Sequence, residues 1–378
     1  MRIALAHDWL VSFRGGEAVL DRLARLLLAD GHSISRIYTM FDNGARLTPV
    51  LDALPRTVAP IGRLPFASTR LRRWMLPLYP QAVGALSNAL ARDHAREPVD
   101  LVVSTSTAAI KGLKAPRGVT HICYCNSPAR YLWAQTDQYA LGRWGRLRVL
   151  GLRLFGAPLR TWDRRTAAHS DVLIANSTHI AARIRAAYGR EALVIHPPVR
   201  TDYYTPADGN RPPPAREDFW LVVGAIEPYK RLDLAVAAAR AANIRLVVAG
   251  GGSQLAEARK THERPGRVEF LGRVSDEQLR DLYRRARVLI FPQEEDFGIV
   301  LVEAQACGLP AVARAAGGAL DIVIPHQTGE LFEGAEIAPI VDAALRITPE
   351  MSAAAAANAQ RFSESRFDEA IRRVLARP

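Results

Sequence analysis

The sequence contains few cysteines and no long apolar run. Its 378 residues include only Cys123, Cys125 and Cys307. An odd number of cysteines within apolar strand or helix patterns indicates neither a disulfide framework nor a zinc site, so we expect a reducing compartment. No apolar stretch reaches the roughly 18 residues that a membrane-spanning helix needs. The opening IALAHDWL contains His and Asp, which come too early for a signal peptide, and we therefore predict a cytoplasmic protein.

Acidic residues are scarce in the first half of the chain. Residues 1–200 contain 28 Lys and Arg against 13 Asp and Glu, a net charge of +15, whereas residues 201–378 contain 22 against 25, a net charge of −3. No acid occurs from Ala53 to Arg92, and residues 141–165 hold seven arginines and one acid. Both stretches mix arginine with leucine and aromatic side chains. This pattern suits an anionic membrane surface, but also two ordinary helices whose arginines face water.

Short apolar runs of strand length alternate with helical patterns along the whole chain. Examples are Asp100–Ser104 and Val172–Ala175 in the first half and Phe219–Val223 in the second. Continuous apolar strands are typical of parallel sheets that are covered on both faces. The proline-rich YYTPADGNRPPPARED separates the two halves. We predict an α/β protein with two Rossmann-like, doubly wound domains, over residues 1–203 and 204–362, followed by a final helix over 363–378.

Two glutamates mark the sharpest motif, FPQEEDFGIVLVEAQACGLP. Glu295 precedes a predicted helix and Glu303 lies inside it, so their carboxylates are roughly 10 Å apart. This distance is too long for a shared proton, but it suits two clamps on a polyol. The alternative is that Glu295 and Asp296 only favour the helix dipole and Glu303 is a solvated side chain. The free N–H groups of Phe297, Gly298 and Ile299 at the helix start would favour an oxyanion.

Two further segments resemble phosphate sites. Gly15 and Gly16 follow the first strand and open a helix, where backbone amides can bind a diphosphate; a tight turn without a ligand is the alternative. Lys230 and Arg231 are predicted in the first turn of the helix after GAIEPY. Cations there oppose the helix dipole unless an anion lies between them, although solvent-exposed side chains remain an alternative.

Taken together, the motifs resemble those of the family 4 glycosyltransferases, which are retaining enzymes of the GT-B fold. The resemblance covers essentially the whole chain, through HDWLVSFRGGEAVL, EPYKR, the E-x7-E segment and AAGGALDIV. The run CYCNSPARYLW resembles a branch of GDP-mannose-dependent enzymes that assemble O-antigen, the outer part of lipopolysaccharide, and exopolysaccharide. The fold implied is two domains facing across a cleft, with the last helix crossing back to the N-terminal domain.

The resemblance also implies roles for individual residues. Glu295, Lys230 and Asn126 are the expected catalytic residues. Asn126 replaces the usual His and cannot titrate near neutral pH, while Ala225 replaces an Arg for which Arg231 is the candidate substitute. The expected donor-binding residues are Gly15, Gly16, Lys230, Arg231, Gly251, Gly252, Val274, Glu295, Phe297, Gly298, Ile299, Val300 and Glu303.

The expected function is transfer of mannose from GDP-mannose to a lipid-linked oligosaccharide by a peripheral protein on the inner face of the plasma membrane. The sequence has no Asp-x-Asp run, so a metal that bridges a diphosphate is not expected. No cofactor is expected beyond the nucleotide-sugar substrate. Two alternatives remain: another donor, such as UDP-glucose or GDP-fucose, or a basic nucleic-acid-binding protein that uses the arginine stretches.

Overall fold

The computed structural model describes residues 1–72, 74–133, 145–209 and 212–376. The chain divides into two compact units, Met1–His196 and Pro197–Pro378. Several residues named in the sequence predictions lie outside the described residues: Arg73, residues 141–144 of the second arginine stretch, positions 210 and 211 of the proline-rich segment, and residues 377 and 378 of the final helix. Among the described helices, none combines the length and the apolarity that crossing a bilayer requires.

The first unit is built on a seven-stranded parallel sheet with the strand order β3-β2-β1-β4-β5-β6-β7. The strands are β1 (Arg2–Leu10), β2 (Ser33–Asp42), β3 (Arg56–Val58), β4 (Leu101–Ser106), β5 (Thr120–Cys125), β6 (Val172–Ala175) and β7 (Leu193–Val194). The central strand β1 pairs with β2 on one side and β4 on the other. The chain therefore builds the sheet outward from β1 in both directions, and the order reverses between β1 and β4.

Six α-helices are described in the first unit, outside the gaps at residue 73 and residues 134–144. They are α1 (Gly15–Ala29), α2 (Pro49–Ala53), α3 (Tyr79–Arg96), α4 (Arg130–Trp133), α5 (Gly145–Thr166) and α6 (Thr178–Tyr188). Helix α1 buries Val19, Leu20, Leu23 and Leu27 on one face, as a 3.6-residue period requires. Helix α6 begins where the Ser177 hydroxyl accepts from the Ile180 N–H at 3.1 Å.

The second unit contains a six-stranded parallel sheet in the order β10-β9-β8-β11-β12-β13. Its strands are β8 (Phe219–Val223), β9 (Arg245–Ala249), β10 (Val268–Gly272), β11 (Val288–Phe291), β12 (Ala311–Arg314) and β13 (Gly329–Phe332). Leu289 and Phe291 pack into one buried cluster and Val288 and Ile290 into another. Both faces of the sheet are therefore covered, which explains why the central strands β8 and β11 are apolar at every position.

The described part of the second unit contains eight α-helices. They are α7 (Leu232–Ala241), α8 (Leu255–His262), α9 (Asp276–Arg285), α10 (Ile299–Ala306), α11 (Ala319–Ile322), α12 (Ala338–Leu345), α13 (Met351–Ala359) and α14 (Glu364–Leu375). Helix α9 starts with a capping box between Ser275 and Gln278. The predicted α/β class with two parallel, Rossmann-like sheets is confirmed.

One predicted helix start is wrong. Lys230 and Arg231 do not lie in the first turn of α7, which begins at Leu232. Pro228–Lys230 forms a separate 3-10 turn, and Arg231 has a φ of 51° in the left-handed region. This conformation interrupts the helical geometry, so the 3-10 turn and α7 are distinct elements.

Candidate functional site

The strand order of the second sheet reverses between β8 and β11, and two predicted site residues meet there. Lys230 lies in the loop after β8 and Glu295 in the loop after β11. The Lys230 ammonium group forms a salt bridge with Glu295 Oε1, and the two side chains are 16% and 25% exposed. In open parallel sheets, ligands bind beyond the carboxyl ends of the strands at such a reversal. The pair is therefore in the position where this sheet type binds ligands.

A third side chain shares the same carboxylate oxygen. Gln293 Nε2 donates to Glu295 Oε1 at 3.1 Å. Gln293 is itself buried, so its amide can anchor the acid on the protein side. The sequence-based predictions missed Gln293, although its place two residues before Glu295, immediately after Pro292, was a usable signal.

Arg231 has a different partner from Lys230. Its guanidinium group contacts Asp233, with Nε to Oδ1 at 3.1 Å and Nη2 to Oδ2 at 3.0 Å. The acid at the start of α7 thus supplies the negative charge that the sequence-based argument assigned to a bound anion. The assignment of Arg231 to the donor stays a prediction.

Glycines bring the ends of β8 and β9 into backbone contact. Gly250 has a φ of 144°, and a Cβ there would lie 1.8 Å from the carbonyl oxygen of Gly224. A Cβ on Gly252 would lie 2.3 Å from Ile226 O. The nearest neighbour of a Cβ on Gly251 is instead the Arg273 side chain, at 3.2 Å. Gly250 and Gly252 are therefore required for packing, whereas Gly251 meets only a flexible side chain.

The turn after β10 borders a surface cavity of about 560 Å³. Val274, a predicted donor-binding residue, lines this cavity with Leu271 and Arg273 from the strand end and with Glu277 from α9. The cavity therefore lies beyond the carboxyl end of a strand, on the same edge of the sheet as the Lys230–Glu295 pair.

The acidic loop that carries Glu295 is held by the glycine turn after β12. The Gly318 N–H donates to Glu295 O at 2.9 Å. A Cβ on Gly318 would lie 2.3 Å from Phe297 O, and one on Gly317 would lie 2.2 Å from Glu295 O. The two glycines thus let neighbouring loops pack main chain against main chain, and the position of Glu295 depends on them.

Helix α10 places the two glutamates as predicted. Gly298 is its N-cap with a φ of 100°, and Ile299 and Val300 are its first two residues. Phe297, just before the N-cap, is buried. Glu295 therefore precedes the helix and Glu303 lies within it.

Glu303 has an unusual electrostatic environment. Burial raises the pKa of its carboxyl group to about 7, against the opposing effects of a hydrogen bond from Tyr283 and the charge of Arg200. The Tyr283 hydroxyl donates to Glu303 Oε2 at 3.0 Å. The sequence-based predictions missed Tyr283, which is 20 residues from Glu303 and on a different helix.

In the first unit, the structure brings Gly16 and Asn126 together. A Cβ on Gly16 would lie 3.6 Å from His7 Cε1, 3.8 Å from Asn126 Nδ2 and 4.0 Å from Thr107 Cγ2. Asn126 Nδ2 is buried and has no hydrogen-bond partner among the residues that the structure describes. Gly15 is the first residue of α1. A hydrogen-bond donor therefore lies beside the N-terminus of α1, where the helix dipole already favours an anion.

Buried polar side chains on β1 connect this strand to β4 and to the start of α1. The sequence-based predictions missed them. His7 Nδ1 lies 2.5 Å from Thr105 Oγ1, and His7 Nε2 lies 3.6 Å from Glu17 Oε1. Glu17 in turn accepts from the Arg14 N–H at 3.0 Å, which fixes the start of α1. The signal was present in the sequence as a His and an Asp within an apolar strand.

Asp8 shapes the loop after β4, across the strand reversal of the first sheet. Its Oδ1 accepts from the N–H groups of Ala109 and Ile110, both at 2.8 Å, and its Oδ2 accepts from those of Thr107 and Ala108 at 2.5 and 2.8 Å. A fully buried carboxylate thus satisfies four backbone donors and fixes Thr107 beside Gly16. Within the described residues, no cluster of three or more His, Cys, Asp or Glu could hold a metal ion.

Comparison with protein families gives two matches. Residues 13–203 match the model described as Glycosyltransferase Family 4, and residues 208–362 match the model described as Glycosyl transferases group 1. Among curated proteins, the chain is 35% identical over 241 residues to D-inositol 3-phosphate glycosyltransferases of Mycobacterium tuberculosis and Mycobacterium bovis. That alignment covers 57% of this chain and 50% of the relative, so the chain spans about half the length of the curated relatives it matches.

Solved structures share the whole fold. Sucrose-phosphate synthase from Thermosynechococcus elongatus superposes with a TM-score of 0.75 at 19% identity, covering 99% of this chain and 98% of that one. Anabaena Alr3699/HepE in complex with UDP superposes with a TM-score of 0.70 at 17% identity and covers 100% of both chains. At these identities the likeness establishes the fold alone.

Proposed function

The chain belongs to glycosyltransferase family 4, and on that basis we propose that it is a retaining hexosyltransferase that moves mannose from GDP-mannose to a lipid-linked oligosaccharide. The product would serve cell-surface polysaccharide synthesis. The proposal depends mainly on the Lys230–Glu295 pair at the strand reversal of the second sheet. This pair places a cation that can bind a diphosphate beside a carboxylate that can bind a sugar.

The chemistry divides between these two side chains. Cleavage of a sugar–phosphate bond leaves negative charge on the departing nucleotide and positive character on the sugar. Lys230 offsets the charge of the diphosphate. Glu295 accepts hydrogen bonds from sugar hydroxyls and stabilises the cationic sugar. In this proposal the bound donor replaces the direct contact between the two groups.

Glu303 and the strand ends hold the nucleotide part. The carboxylate of Glu303 accepts from the ribose diol, and the turns at Gly251, Gly252 and Val274 approach the nucleotide through their backbone. The start of α10 at Phe297, Gly298, Ile299 and Val300 presents N–H groups to donor oxygens. In the first unit, Gly15, Gly16 and the Asn126 side-chain amide offer neutral hydrogen-bond donors to an anionic ligand at the N-terminus of α1.

The donor assignment is supported by the run CYCNSPARYLW, which resembles the GDP-mannose-dependent branch. Two observations favour testing other substrates. Anabaena Alr3699/HepE has been solved with UDP-glucose, and the curated relatives are named for an inositol phosphate acceptor. UDP-glucose is therefore one alternative donor, and GDP-fucose, the other donor considered from the sequence, is tested beside it.

A donor survey tests the proposal. The purified chain is incubated with GDP-mannose, UDP-glucose, GDP-fucose or ADP-glucose, with and without a lipid-diphosphate-linked saccharide, and release of the nucleoside diphosphate is measured. We expect turnover with GDP-mannose and an axial product linkage, because the family retains configuration. If GDP-mannose is neither bound nor turned over, the donor assignment is refuted. Turnover of another sugar nucleotide would identify that compound as the donor instead.

Exposed apolar side chains in the first unit support attachment to an anionic membrane. Leu64, Phe66 and Trp74 are 50%, 67% and 43% exposed, and Arg63 is also exposed. Phe66 has a φ of 59°, an unfavourable conformation for a bulky residue. Apolar side chains beside arginine suit a lipid headgroup region. The lipid-linked acceptor would then be reached from the membrane surface.

A further inference from the structure

Tyr283 makes the only hydrogen bond to Glu303 from a side chain in the described part of the chain. Its hydroxyl donates to Oε2 at 3.0 Å, and the residue is fully buried on α9, which packs against α10. Tyr283 is therefore shielded from solvent and contacts the acid from the protein side.

We propose that Tyr283 is a positioning residue for Glu303: its hydroxyl holds Oε2 and so leaves Oε1 directed to a ligand diol. This inference rests on the proposed function, in which Glu303 binds the ribose of a nucleotide sugar. A carboxylate with one oxygen anchored has a fixed plane, and the second oxygen then meets the ligand without losing rotamer freedom on binding.

A column of aromatic rings and cations fixes the phenol. The rings of Tyr204 and Tyr283 are 5.8 Å apart at 70°, and those of Tyr203 and Tyr204 are 5.1 Å apart at 87°. Arg200 lies over the Tyr203 ring at 4.8 Å, and Arg280 lies over it at 4.6 Å. Edge-to-face and cation–π contacts favour one ring orientation, so Tyr283 cannot turn its hydroxyl away from Glu303 without disrupting the column.

The electrostatics agree with this geometry. Burial raises the pKa of Tyr283 well above its ordinary value, so the phenol keeps its proton and acts as a donor. Burial also raises the pKa of Glu303 to about 7, while the hydrogen bond from Tyr283 lowers it. Without the phenol, a larger fraction of Glu303 is protonated at neutral pH, and a protonated carboxyl is a poorer acceptor for a diol.

The other titratable groups near the acid come from three elements. The segment before β8, helix α9 and helix α10 contribute Arg200, Tyr204, Asp276 and Cys307. Arg200 favours the charged form of Glu303 and Asp276 opposes it. Because these groups are unchanged in a Tyr283→Phe variant, a shift in that variant reports the phenol alone.

Carbon-13 NMR of protein labelled at the glutamate side-chain carboxyl tests the inference directly. Glu303→Gln identifies the Glu303 signal. In the wild type we expect this carboxyl to titrate near pH 7, and in Tyr283→Phe about one pH unit higher, as the loss of a hydrogen bond to a charged group implies. Tyr204→Phe is the matched control and should leave the midpoint in place. An unshifted midpoint in Tyr283→Phe overturns the inference.

Binding of GDP between pH 6 and pH 9 supplies the second readout. Wild-type affinity should fall as the pH drops through about 7, because Glu303 is then protonated. Tyr283→Phe should bind GDP about fivefold more weakly at pH 7, because its Glu303 is then mostly protonated, and nearly normally at pH 9. An equal loss at every pH indicates a merely structural residue and overturns the inference. If the carboxyl midpoint shifts as expected but neither GDP nor UDP binds, the proposed function fails while the control of Glu303 by Tyr283 stands.

Discussion

At the residue scale, the site rests on two opposite charges that lie at the ends of neighbouring strands. Lys230 and Glu295 are both partly buried, so each would be costly to leave without its partner. The pair is therefore a stable arrangement in the protein alone, and in the proposed function its two members contact the phosphate and the sugar of the donor.

We predict that Lys230→Ala and Glu295→Gln each lower kcat/KM by roughly a hundredfold or more, because each removes a group that stabilises charge in the transition state. The double variant should lose less than the product of the two factors, since side chains in contact act as a unit. Steady-state kinetics of the four proteins checks this. Lys260→Ala, an exposed lysine on α8, is the control, and multiplicative losses would contradict the coupling.

Asn126 allows a second test at this scale. Asn126→Asp keeps the shape but replaces an amide donor with a charged acceptor beside the start of α1. We expect catalytic activity at least tenfold lower, because a carboxylate there repels the donor diphosphate. Asn126→His should retain activity that falls as the pH rises through about 6.5, when the imidazole loses its charge. Asn88→Asp, on the exposed side of α3, is the matched control; equal activity of both aspartate variants would contradict a role for the amide.

At the scale of elements, glycine turns hold the loops of the second sheet together. Gly317 and Gly318 lie against the main chain of the acidic loop, without room for a side chain. Gly250 and Gly252 lie equally close to the main chain of the loop after β8. Each of these contacts joins loops that follow different strands. The carboxyl edge of the sheet is therefore a packed layer of backbone, and the charged side chains are positioned by it.

Gly318→Ala tests this layer. The added Cβ would lie 2.3 Å from Phe297 O, and we expect a loss of about 1–3 kcal/mol in the free energy of unfolding, with lower activity because Glu295 moves. Urea unfolding and kinetics measure both effects. Gly84→Ala, in the interior of α3 with open space around it, should instead stabilise by about 0.5–1 kcal/mol. A Gly318→Ala variant as stable as the wild type would contradict the packing argument.

At the scale of the whole molecule, charge and exposed apolar surface are unevenly distributed. The net charge of +15 belongs to residues 1–200, and the exposed Leu64, Phe66 and Trp74 are in the same half. In the second arginine stretch, Leu154 and Phe155 are 65% and 47% exposed. A positively charged surface with apolar side chains fits an anionic membrane better than it fits water alone.

We predict that the chain floats with anionic liposomes at low salt, binds less at moderate salt because the charges are screened, and does not float with neutral liposomes. Leu64→Ser combined with Phe66→Ser should weaken binding about tenfold, since apolar contacts are lost. Leu345→Ser, which changes a 59% exposed leucine in the second unit, is the control. No flotation with anionic liposomes at either salt concentration would remove the membrane proposal.

Much of the fold could be predicted because it depends on local pattern. Val172–Ala175 and Phe219–Val223 have the bounds that their apolar runs indicate, since a strand buried on both faces disfavours polar residues along its length. The start of α7 could not be predicted in this way. Arg231 adopts a left-handed backbone conformation. In a residue other than glycine, nothing in the residue types of the segment indicates this conformation.

By itself, the sequence determined the two-unit α/β architecture and the placing of one glutamate before α10 and one within it, because the periodicity of strands and helices is a property of neighbouring residues. Which distant groups meet depends on how the strands and helices pack. Lys230 and Glu295 are 65 residues apart, and Tyr283 and Glu303 are on different helices. These contacts follow from the order of strands in the sheet and from the packing of α9 on α10, which depend on the free energy of the whole fold and not on any local pattern.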